Sequence, residues 1–387
     1  DSIKLFNQRY PFAGTPNVKI ELGLLKITGD EKDIRWVDLG KNEDIYITRG
    51  KWLPNSKTFS YQWQNRSQHQ LELRFVTAKN LKQKTIITET SNTWLNLHES
   101  LKYLEDSFIW ASERDGFQHL YHFDYNGKLI SQLTQGQWIV DKLLGFSKKT
   151  NDVFFSGRKD TPTERHLYKV NLKRPQQIQR ISSRSGFHSI TFSEDASIYL
   201  DNYSNTAQPP QVSLHQANGQ HITWMEQNKL DDSHPLTPYL DDWVIPRFGT
   251  LKAEDGQTLH YRIYEPKDFS GKRPLINYVY GGPHAQLVTN SWSKRNYILQ
   301  HLVQKGYVVF QLDNRGSYNR GKKFEDPIYK HLGDVELKDQ LVGMEYAKTL
   351  NFVDPNRIGV YGHSYGGYMT IMSMFKASDV FKVGVSG

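Results

Sequence analysis

The first 240 residues consist of short hydrophobic runs that are separated by polar turns. The runs are rich in Tyr, Phe, Trp, Ile and Val, and the turns include sequences such as Asn126-Gly127. Apolar residues at helical spacing are scarce in this region, whereas aromatic and β-branched residues favour strands. The pattern therefore predicts an all-β region.

A repeat runs through this region. The hydrophobic pattern around Leu120 recurs around Leu167, and weaker copies surround Leu73 and Val212, so the four markers are 47, 47 and 45 residues apart. A period in the forties that contains several short strands is typical of β-propeller blades. We expect four to five blades in residues 1–240 and an incomplete ring. The alternative is a β-sandwich whose strands have this spacing by chance.

The pattern changes after residues 226–246, which form a linker rich in Pro and Asp. Hydrophobic runs that predict strands then alternate with segments of helical periodicity. The predicted strands are 258–264, 275–280, 307–312 and 357–361, and the predicted helices are 292–305 and 334–350. This alternation predicts a parallel sheet with helices on both faces. We therefore expect a propeller domain in 1–240 and the N-terminal part of an α/β domain in 241–387.

Composition narrows the class of protein. The chain has 387 residues, enough for two or three domains, and no Cys, which excludes disulfides, thiolate metal sites and cysteine nucleophiles. The net charge of +8 is scattered along the chain, so no nucleic-acid partner is expected. No apolar stretch approaches the roughly 18 residues of a membrane span, and none is expected in this chain.

The sequence carries no clear metal or cofactor motif. His331, Asp334 and Glu336 lie close together but lack the H-E-x-x-H spacing of a zinc site. We interpret them as a solvated helix start. Neither a P-loop nor a dinucleotide-binding glycine motif occurs, so we expect no metal and no cofactor.

The strongest chemical signal is Gly362-His363-Ser364-Tyr365-Gly366, a G-x-S-x-G motif between a predicted strand and a helix. In this context a sharp turn exposes the Ser hydroxyl above the sheet, and small flanking residues are required because the backbone is crowded. The helix that follows adds a positive dipole end near the hydroxyl. The motif predicts Ser364 as a nucleophile; the alternative is a structural Ser in a βα turn.

A second signal is Tyr280-Gly281-Gly282-Pro283, at the end of the first central strand. In α/β-hydrolases the loop at this place supplies a donor of the oxyanion hole. The Tyr280 hydroxyl can donate such a hydrogen bond. From spacing alone, Tyr280 could equally be a strand-end aromatic residue.

Together these motifs resemble the prolyl oligopeptidase superfamily of serine peptidases, and within it the dipeptidyl peptidase IV family. Two propeller segments, 10–17 and 112–121, are also similar to that family. The hydrolase segments that carry the resemblance are 277–283, 312–317, 332–336 with Asp339-Gln340, and 362–368.

The resemblance implies a serine exopeptidase with an α/β-hydrolase domain and a propeller. Such enzymes release dipeptides from free N-termini, preferably Xaa-Pro or Xaa-Ala, through an acyl-enzyme. It implies Ser364 as the nucleophile, with the Tyr280 hydroxyl and the Tyr365 backbone N–H as the oxyanion hole. Members of this type are often extracytoplasmic and homodimeric, and peptides are the expected partners.

The chain departs from the family pattern in several places. His363 replaces a Trp that is common in animal members, and we interpret it as a packed core histidine, not as the base. No His follows Ser364, and the single later acid, Asp379, comes too early for a catalytic triad. The family's paired glutamates, which bind the substrate ammonium, belong upstream of Tyr10-Pro11. We therefore expect an internal segment of a longer enzyme.

Two other functions remain open at this stage. The motifs are shared with acylaminoacyl-peptidases and endo-acting oligopeptidases of the same superfamily. A propeller can also be a binding surface in a catalytically inactive scaffold, which the fold alone does not exclude.

Overall fold

The computed structural model describes residues 4–8, 12–27, 34–267 and 270–387. Tyr10 and Pro11, from the first propeller segment, lie outside the described residues. The chain divides into two compact units. One contains the residues up to 99 together with 103–108 and 123–129, and the other contains 100–102, 109–122 and 130–387.

The β-rich part begins with a two-stranded antiparallel pair, β1 (Gly23–Leu25) and β2 (Ile34–Trp36). Four four-stranded sheets follow in the described residues, and each orders its strands consecutively. The first contains β3 (Ile45–Trp52), β4 (Thr58–Asn65), β5 (Gln70–Thr77) and β6 (Gln83–Thr90). The second contains β7 (Leu101–Tyr103), β8 (Ser107–Ser112), β9 (His119–Asp124) and β10 (Leu129–Gln132).

The third sheet contains β11 (Val140–Ser147), β12 (Asp152–Gly157), β13 (His166–Asn171) and β14 (Arg174–Arg180). The fourth contains β15 (Phe187–Phe192), β16 (Ile198–Ser204), β17 (Gln211–Gln216) and β18 (His221–Glu226). The repeat markers Leu73, Leu120, Leu167 and Val212 all fall on the third strand of their sheet. The repeated sequence unit is therefore one four-stranded blade, not part of a sandwich.

A buried histidine explains part of the repeat. The Nδ1 atom of His119 lies 3.0 Å from the Thr134 hydroxyl, and that of His166 lies 3.1 Å from the Ser182 hydroxyl. Each hydroxyl also accepts a hydrogen bond from the backbone N–H of the residue after the histidine. Buried polar groups need such partners, so these histidines have structural roles within their blades.

The C-terminal part of the chain forms a six-stranded sheet in the order β19-β20-β22-β21-β23-β24. Its strands are β19 (Arg247–Lys252), β20 (Thr258–Tyr264), β21 (Arg273–Tyr278), β22 (Val308–Asp313), β23 (Val353–Gly362) and β24 (Val383–Ser386). The neighbouring strands β22, β21, β23 and β24 pair in parallel. Strand β20 pairs antiparallel with both β19 and β22. The sheet is therefore mixed rather than parallel throughout, because the tight turn at Asp255-Gly256 can only join antiparallel neighbours.

Four helices accompany this sheet: α1 (Asn296–Gln304), α2 (Lys322–Glu325), α3 (Val335–Lys348) and α4 (Tyr365–Lys376). Single 3₁₀ turns occupy Thr237–Tyr239 and Asp326–Ile328. The helix predicted from residue 292 begins only at Asn296, because Trp292 instead stacks on Trp243 with ring centroids 4.7 Å apart. Strand β23 begins four residues earlier than the predicted 357.

Helices cover both faces of the sheet, as the alternation of strands and helices predicted. All six residues of β22 are buried, as expected of a central strand. Phe310 packs with residues of α3 and α4, whereas its neighbour Val309 packs with residues of α1. Since successive side chains point to opposite faces, α1 lies on one face and α3 and α4 lie on the other.

Candidate active site

Ser364 is the second of the two residues between β23 and α4. It has φ 60° and ψ −120°, it is exposed, and the helix begins at the next residue. A positive φ costs a non-glycine residue about 1–3 kcal/mol, and such strain is concentrated at functional sites. The turn therefore presents the Ser364 hydroxyl to solvent at the carboxyl end of a parallel strand, as the G-x-S-x-G motif predicted.

Close packing explains the glycines of the motif. A Cβ on Gly362 would overlap the backbone of Gly366, and a Cβ on Gly366 would overlap the carbonyl oxygen of Val279. A Cβ on Gly367 would press on the backbone of Gly387. The helix start is thus in direct contact with the neighbouring strands, and any side chain at these positions would displace Ser364.

Backbone hydrogen bonds hold the turn. The Ser364 N–H donates to Gly387 O at 2.8 Å, and the Tyr368 N–H donates to Ser364 O at 3.1 Å. The Gly366 N–H donates to His363 O at 2.9 Å. The Tyr365 N–H is the first of the helix and has no intrahelical partner. It lies at the positive end of the helix dipole, which makes it a suitable donor to a developing oxyanion.

Tyr280 lies beside this turn. Its ring centroid is 6.1 Å from that of Tyr365, and the side chain is half-buried. Among the described residues, none forms a hydrogen bond with the Tyr280 hydroxyl. A donor hydroxyl is therefore available close to the helix start, and the sequence alone did not settle whether it would be there.

The loop after Tyr280 packs against the same helix. A Cβ on Gly282 would overlap the ring of Tyr365, so only Gly allows this approach. Gly281 has φ 77°, a conformation that favours glycine, and its carbonyl oxygen accepts a hydrogen bond of 2.9 Å from Asn314 Nδ2. The position of Tyr280 is thus set by contacts on both sides of the loop.

A chain of buried amides supports that loop. Gln340 Nε2 donates to Asn314 Oδ1 at 2.8 Å, and Asn277 Nδ2 donates to Gln340 Oε1 at 3.0 Å. All three side chains are almost completely buried. They link β21, the loop after β22 and α3, so the polar residues of the sequence motifs form a scaffold beneath the site.

An ion pair completes this scaffold. Arg315 Nη2 lies 2.7 Å from Asp339 Oδ1, Arg315 Nε lies 3.0 Å from Asp339 Oδ2, and the Arg315 backbone N–H donates to the same carboxylate at 2.8 Å. Asp255 contacts the other end of the guanidinium at 3.1 Å. The hydrogen bonds that its guanidinium donates to Asp339 raise the pKa of Arg315. The pair joins the loop after β22 to α3.

The Tyr365 side chain points to a buried carboxylate. Its hydroxyl donates to Glu336 Oε1 at 2.5 Å, and both Glu336 oxygens accept from the Gly333 N–H at 3.0 Å. Burial, and then this carboxylate, raises the pKa of the Tyr365 hydroxyl, which therefore stays protonated. With the hydroxyl engaged in this way, the backbone N–H is the Tyr365 group left to face a ligand.

Two interpretations from the sequence are wrong. Glu336 is fully buried, so it is not part of a solvated helix start, although its neighbour Asp334 is exposed. The reason is tertiary, since Tyr365 and Gly333 enclose the carboxylate. His363 is exposed rather than packed in a core, because the turn that presents Ser364 also directs the preceding residue outwards.

Asp379, the single acidic residue after Ser364, is exposed between α4 and β24. Among the described residues, no imidazole forms a hydrogen bond with the Ser364 hydroxyl, and no group of three or more metal-binding side chains is found. No described helix is both long enough and apolar enough to cross a bilayer.

The sequence did not predict the scaffold of buried amides formed by Asn277, Asn314 and Gln340. The polar run Asp313-Asn314-Arg315 at the end of a buried strand could have indicated it.

Comparisons with known proteins agree with this architecture. The family model described as the dipeptidyl peptidase IV (DPP IV) N-terminal region matches residues 1–210. The model of the prolyl oligopeptidase family matches residues 292–387.

Similar proteins carry related names. Human dipeptidyl peptidase 8 is 30% identical, over 98% of this chain and 50% of its own length. A probable dipeptidyl peptidase 4 of Aspergillus flavus is 28% identical, over 97% of this chain and 50% of its own length. The crystal structure of Porphyromonas gingivalis dipeptidyl peptidase 4 superposes with a TM-score of 0.90 at 29% identity, over 98% of this chain and 53% of that one. The predicted fold class is thereby confirmed, and the chain spans about half the length of the curated relatives that it matches.

Proposed function

The chain belongs to the dipeptidyl peptidase IV family of the prolyl oligopeptidase superfamily, and on this premise we propose that its protein is a serine exopeptidase. It releases N-terminal dipeptides, preferably Xaa-Pro or Xaa-Ala, from peptides with a free amino terminus. The observation that carries the proposal is the strained, exposed Ser364 between β23 and α4, with Tyr280 beside it. The homodimer implied by the family resemblance stays a prediction.

The proposed reaction begins at the Ser364 hydroxyl. Its oxygen attacks the carbonyl carbon of the second residue of the substrate, while a general base accepts the proton. The carbonyl oxygen becomes an oxyanion that accepts hydrogen bonds from the Tyr280 hydroxyl and the Tyr365 N–H. Collapse of this intermediate breaks the peptide bond, and the leaving amine takes a proton. Water then hydrolyses the dipeptidyl ester on Ser364 and restores the hydroxyl.

The requirement for a free amino terminus distinguishes a dipeptidyl peptidase from the acylaminoacyl-peptidases and oligopeptidases of the same superfamily. We expect hydrolysis of alanyl-prolyl-p-nitroanilide by the full-length protein and no hydrolysis of its N-acetylated form, because acetylation removes the ammonium charge. Release of p-nitroaniline measures both. Preferential cleavage of the acetylated substrate would instead support an acylaminoacyl-peptidase or an oligopeptidase.

Removal of the Tyr280 hydroxyl tests the oxyanion hole. We expect Tyr280→Phe to lower kcat by about 100- to 1000-fold, the typical loss for one oxyanion donor, with little change in KM. The substrate carbonyl is a weaker acceptor than the oxyanion, so the missing donor affects mainly the transition state.

The matched control is Tyr239→Phe, which removes a hydroxyl from an exposed side chain and should leave both constants unchanged. A Tyr280→Phe enzyme with the kcat of the wild type would show that the oxyanion is stabilised by other groups.

A further inference from the structure

A cavity of about 510 Å³ lies within the second compact unit, away from the Ser364 turn in sequence. Residues of the third and fourth blades line it together with residues of the six-stranded sheet and its loops. Four arginines contribute to the lining, Arg158, Arg165, Arg262 and Arg295, and no Asp or Glu does. A concave site with one sign of charge attracts ligands of the opposite sign.

The two blade arginines converge on one aromatic ring. The guanidinium carbon of Arg165 lies 4.4 Å from the Phe187 ring centroid, and that of Arg158 lies 5.2 Å from it. Arg158 is balanced by Asp141, whose Oδ1 lies 3.1 Å from its Nε. Two like charges on one ring repel each other, and the Asp141 carboxylate is in direct contact with only one of them, Arg158.

Arg165 itself has only neutral partners in the described residues. Its Nε donates to the backbone oxygen of His188 at 3.0 Å, and its Nη2 donates to the Ser189 hydroxyl. The carboxylates of Asp141 and Asp201 act on Arg165 only at longer range, because Asp141 pairs with Arg158 and Asp201 Oδ2 lies 2.7 Å from Nδ1 of His188. The half-buried guanidinium of Arg165 is thus held by hydrogen bonds to neutral groups, without a carboxylate in direct contact among the described residues.

The arginine from the six-stranded sheet is held in the same way. Arg262 is almost fully buried, and its Nε and Nη1 donate to Gln311 Oε1 at 2.6 Å and to Thr289 O at 3.0 Å. The buried carboxylate nearby, Asp313, accepts instead from the backbone N–H groups of Leu287 and Val288. Buried charges are normally paired, yet neither the buried Arg262 nor the half-buried Arg165 forms an ion pair with a carboxylate of the described residues.

We propose that this cavity is an oxyanion-binding site, which accepts a carboxylate or phosphate group. Guanidinium groups match the geometry of both and form charge-assisted hydrogen bonds with them. The volume of the cavity exceeds that of a small inorganic ion, and the side chains of Phe187, Leu287 and Trp292 add apolar surface to its lining. The ligand therefore carries its anionic group on a small apolar body. The proposal is independent of hydrolysis at Ser364.

Calorimetric titration of the full-length protein tests the site. The Ser364→Ala background prevents turnover, so binding is measured whether or not the protein is a peptidase. The probes are inorganic phosphate, a neutral tetrapeptide with a free carboxyl terminus, and the same tetrapeptide with a terminal amide. Binding of phosphate alone identifies a phosphate site, and binding of the free acid but not of the amide identifies a peptide carboxylate site.

Arg165→Gln should weaken the binding of either oxyanion by about tenfold or more, because a charge-assisted hydrogen bond is lost. The matched control is Arg174→Gln, which removes the same charge from an exposed position of the same blade and should bind as its parent does. If Arg165→Gln does not fold, Arg295→Gln removes an exposed lining charge with the same expected direction. Absence of binding by every probe, or equal binding by the cavity and control variants, would overturn the proposal.

Discussion

Replacement of Ser364 by Ala is expected to lower kcat by about a million-fold, the order seen when a serine nucleophile is removed. In the proposed mechanism this oxygen forms the acyl-enzyme, so the variant should keep only the residual rate that substrate binding and the oxyanion donors provide. The fold should persist, since Ala is smaller than Ser and the Ser364 side chain forms no hydrogen bond with the described residues. The measurement is steady-state hydrolysis of a chromogenic Xaa-Pro substrate by the full-length protein.

Ser378→Ala is the matched control, because it removes an exposed hydroxyl shortly after the end of α4. It should retain the kcat of the wild type. Substantial hydrolysis by a folded Ser364→Ala variant would mean that another residue is the nucleophile.

Replacement of Asp339 by Ala should produce the largest loss of stability. The substitution leaves the buried guanidinium of Arg315 without the carboxylate that contacts it at 2.7 Å and 3.0 Å. Breaking a buried ion pair from one side costs about 3–5 kcal/mol, and we expect the lower part of this range because the partly exposed Asp255 still contacts the guanidinium. Equilibrium urea unfolding of the full-length protein, followed by fluorescence, measures the change.

Asp354→Ala provides the comparison. Asp354 pairs with Arg357 at 2.7 Å, but this pair lies at the surface, with 57% of the Arg357 side chain exposed. Exposed pairs contribute about 0–1 kcal/mol, so this variant should unfold close to the wild type. Equal losses from the two substitutions would show that the Arg315–Asp339 pair does not support the loop after β22.

Features that depend on neighbouring residues could be predicted from the sequence. The blade repeat was visible because each blade is a consecutive run of strands, and its markers fall on equivalent strands. The Ser364 turn was predicted because strand, glycines and helix follow one another in the chain. The position of Tyr280, two residues after the end of β21, followed from the same local pattern.

Features that depend on distant residues could not be predicted. Glu336 is buried because the hydroxyl of Tyr365, 29 residues away, donates to it. Arg165 and Arg262 lie almost 100 residues apart, and no local pattern shows that they line one cavity. The antiparallel edge of the six-stranded sheet was not predicted, because the alternation of strands and helices predicts a parallel sheet. The direction of β19 and β20 depends instead on the tight turn at Asp255-Gly256 that joins them.

A reactive hydroxyl at position 364 is the central requirement of the proposed function. The most direct measurement is treatment of the full-length protein with a fluorophosphonate probe, followed by tryptic digestion and mass spectrometry. We expect a stoichiometric phosphonyl adduct on Ser364, with loss of dipeptide release in proportion to labelling. An active protein that remains unlabelled at Ser364, or that carries its adduct on another residue, would contradict the account.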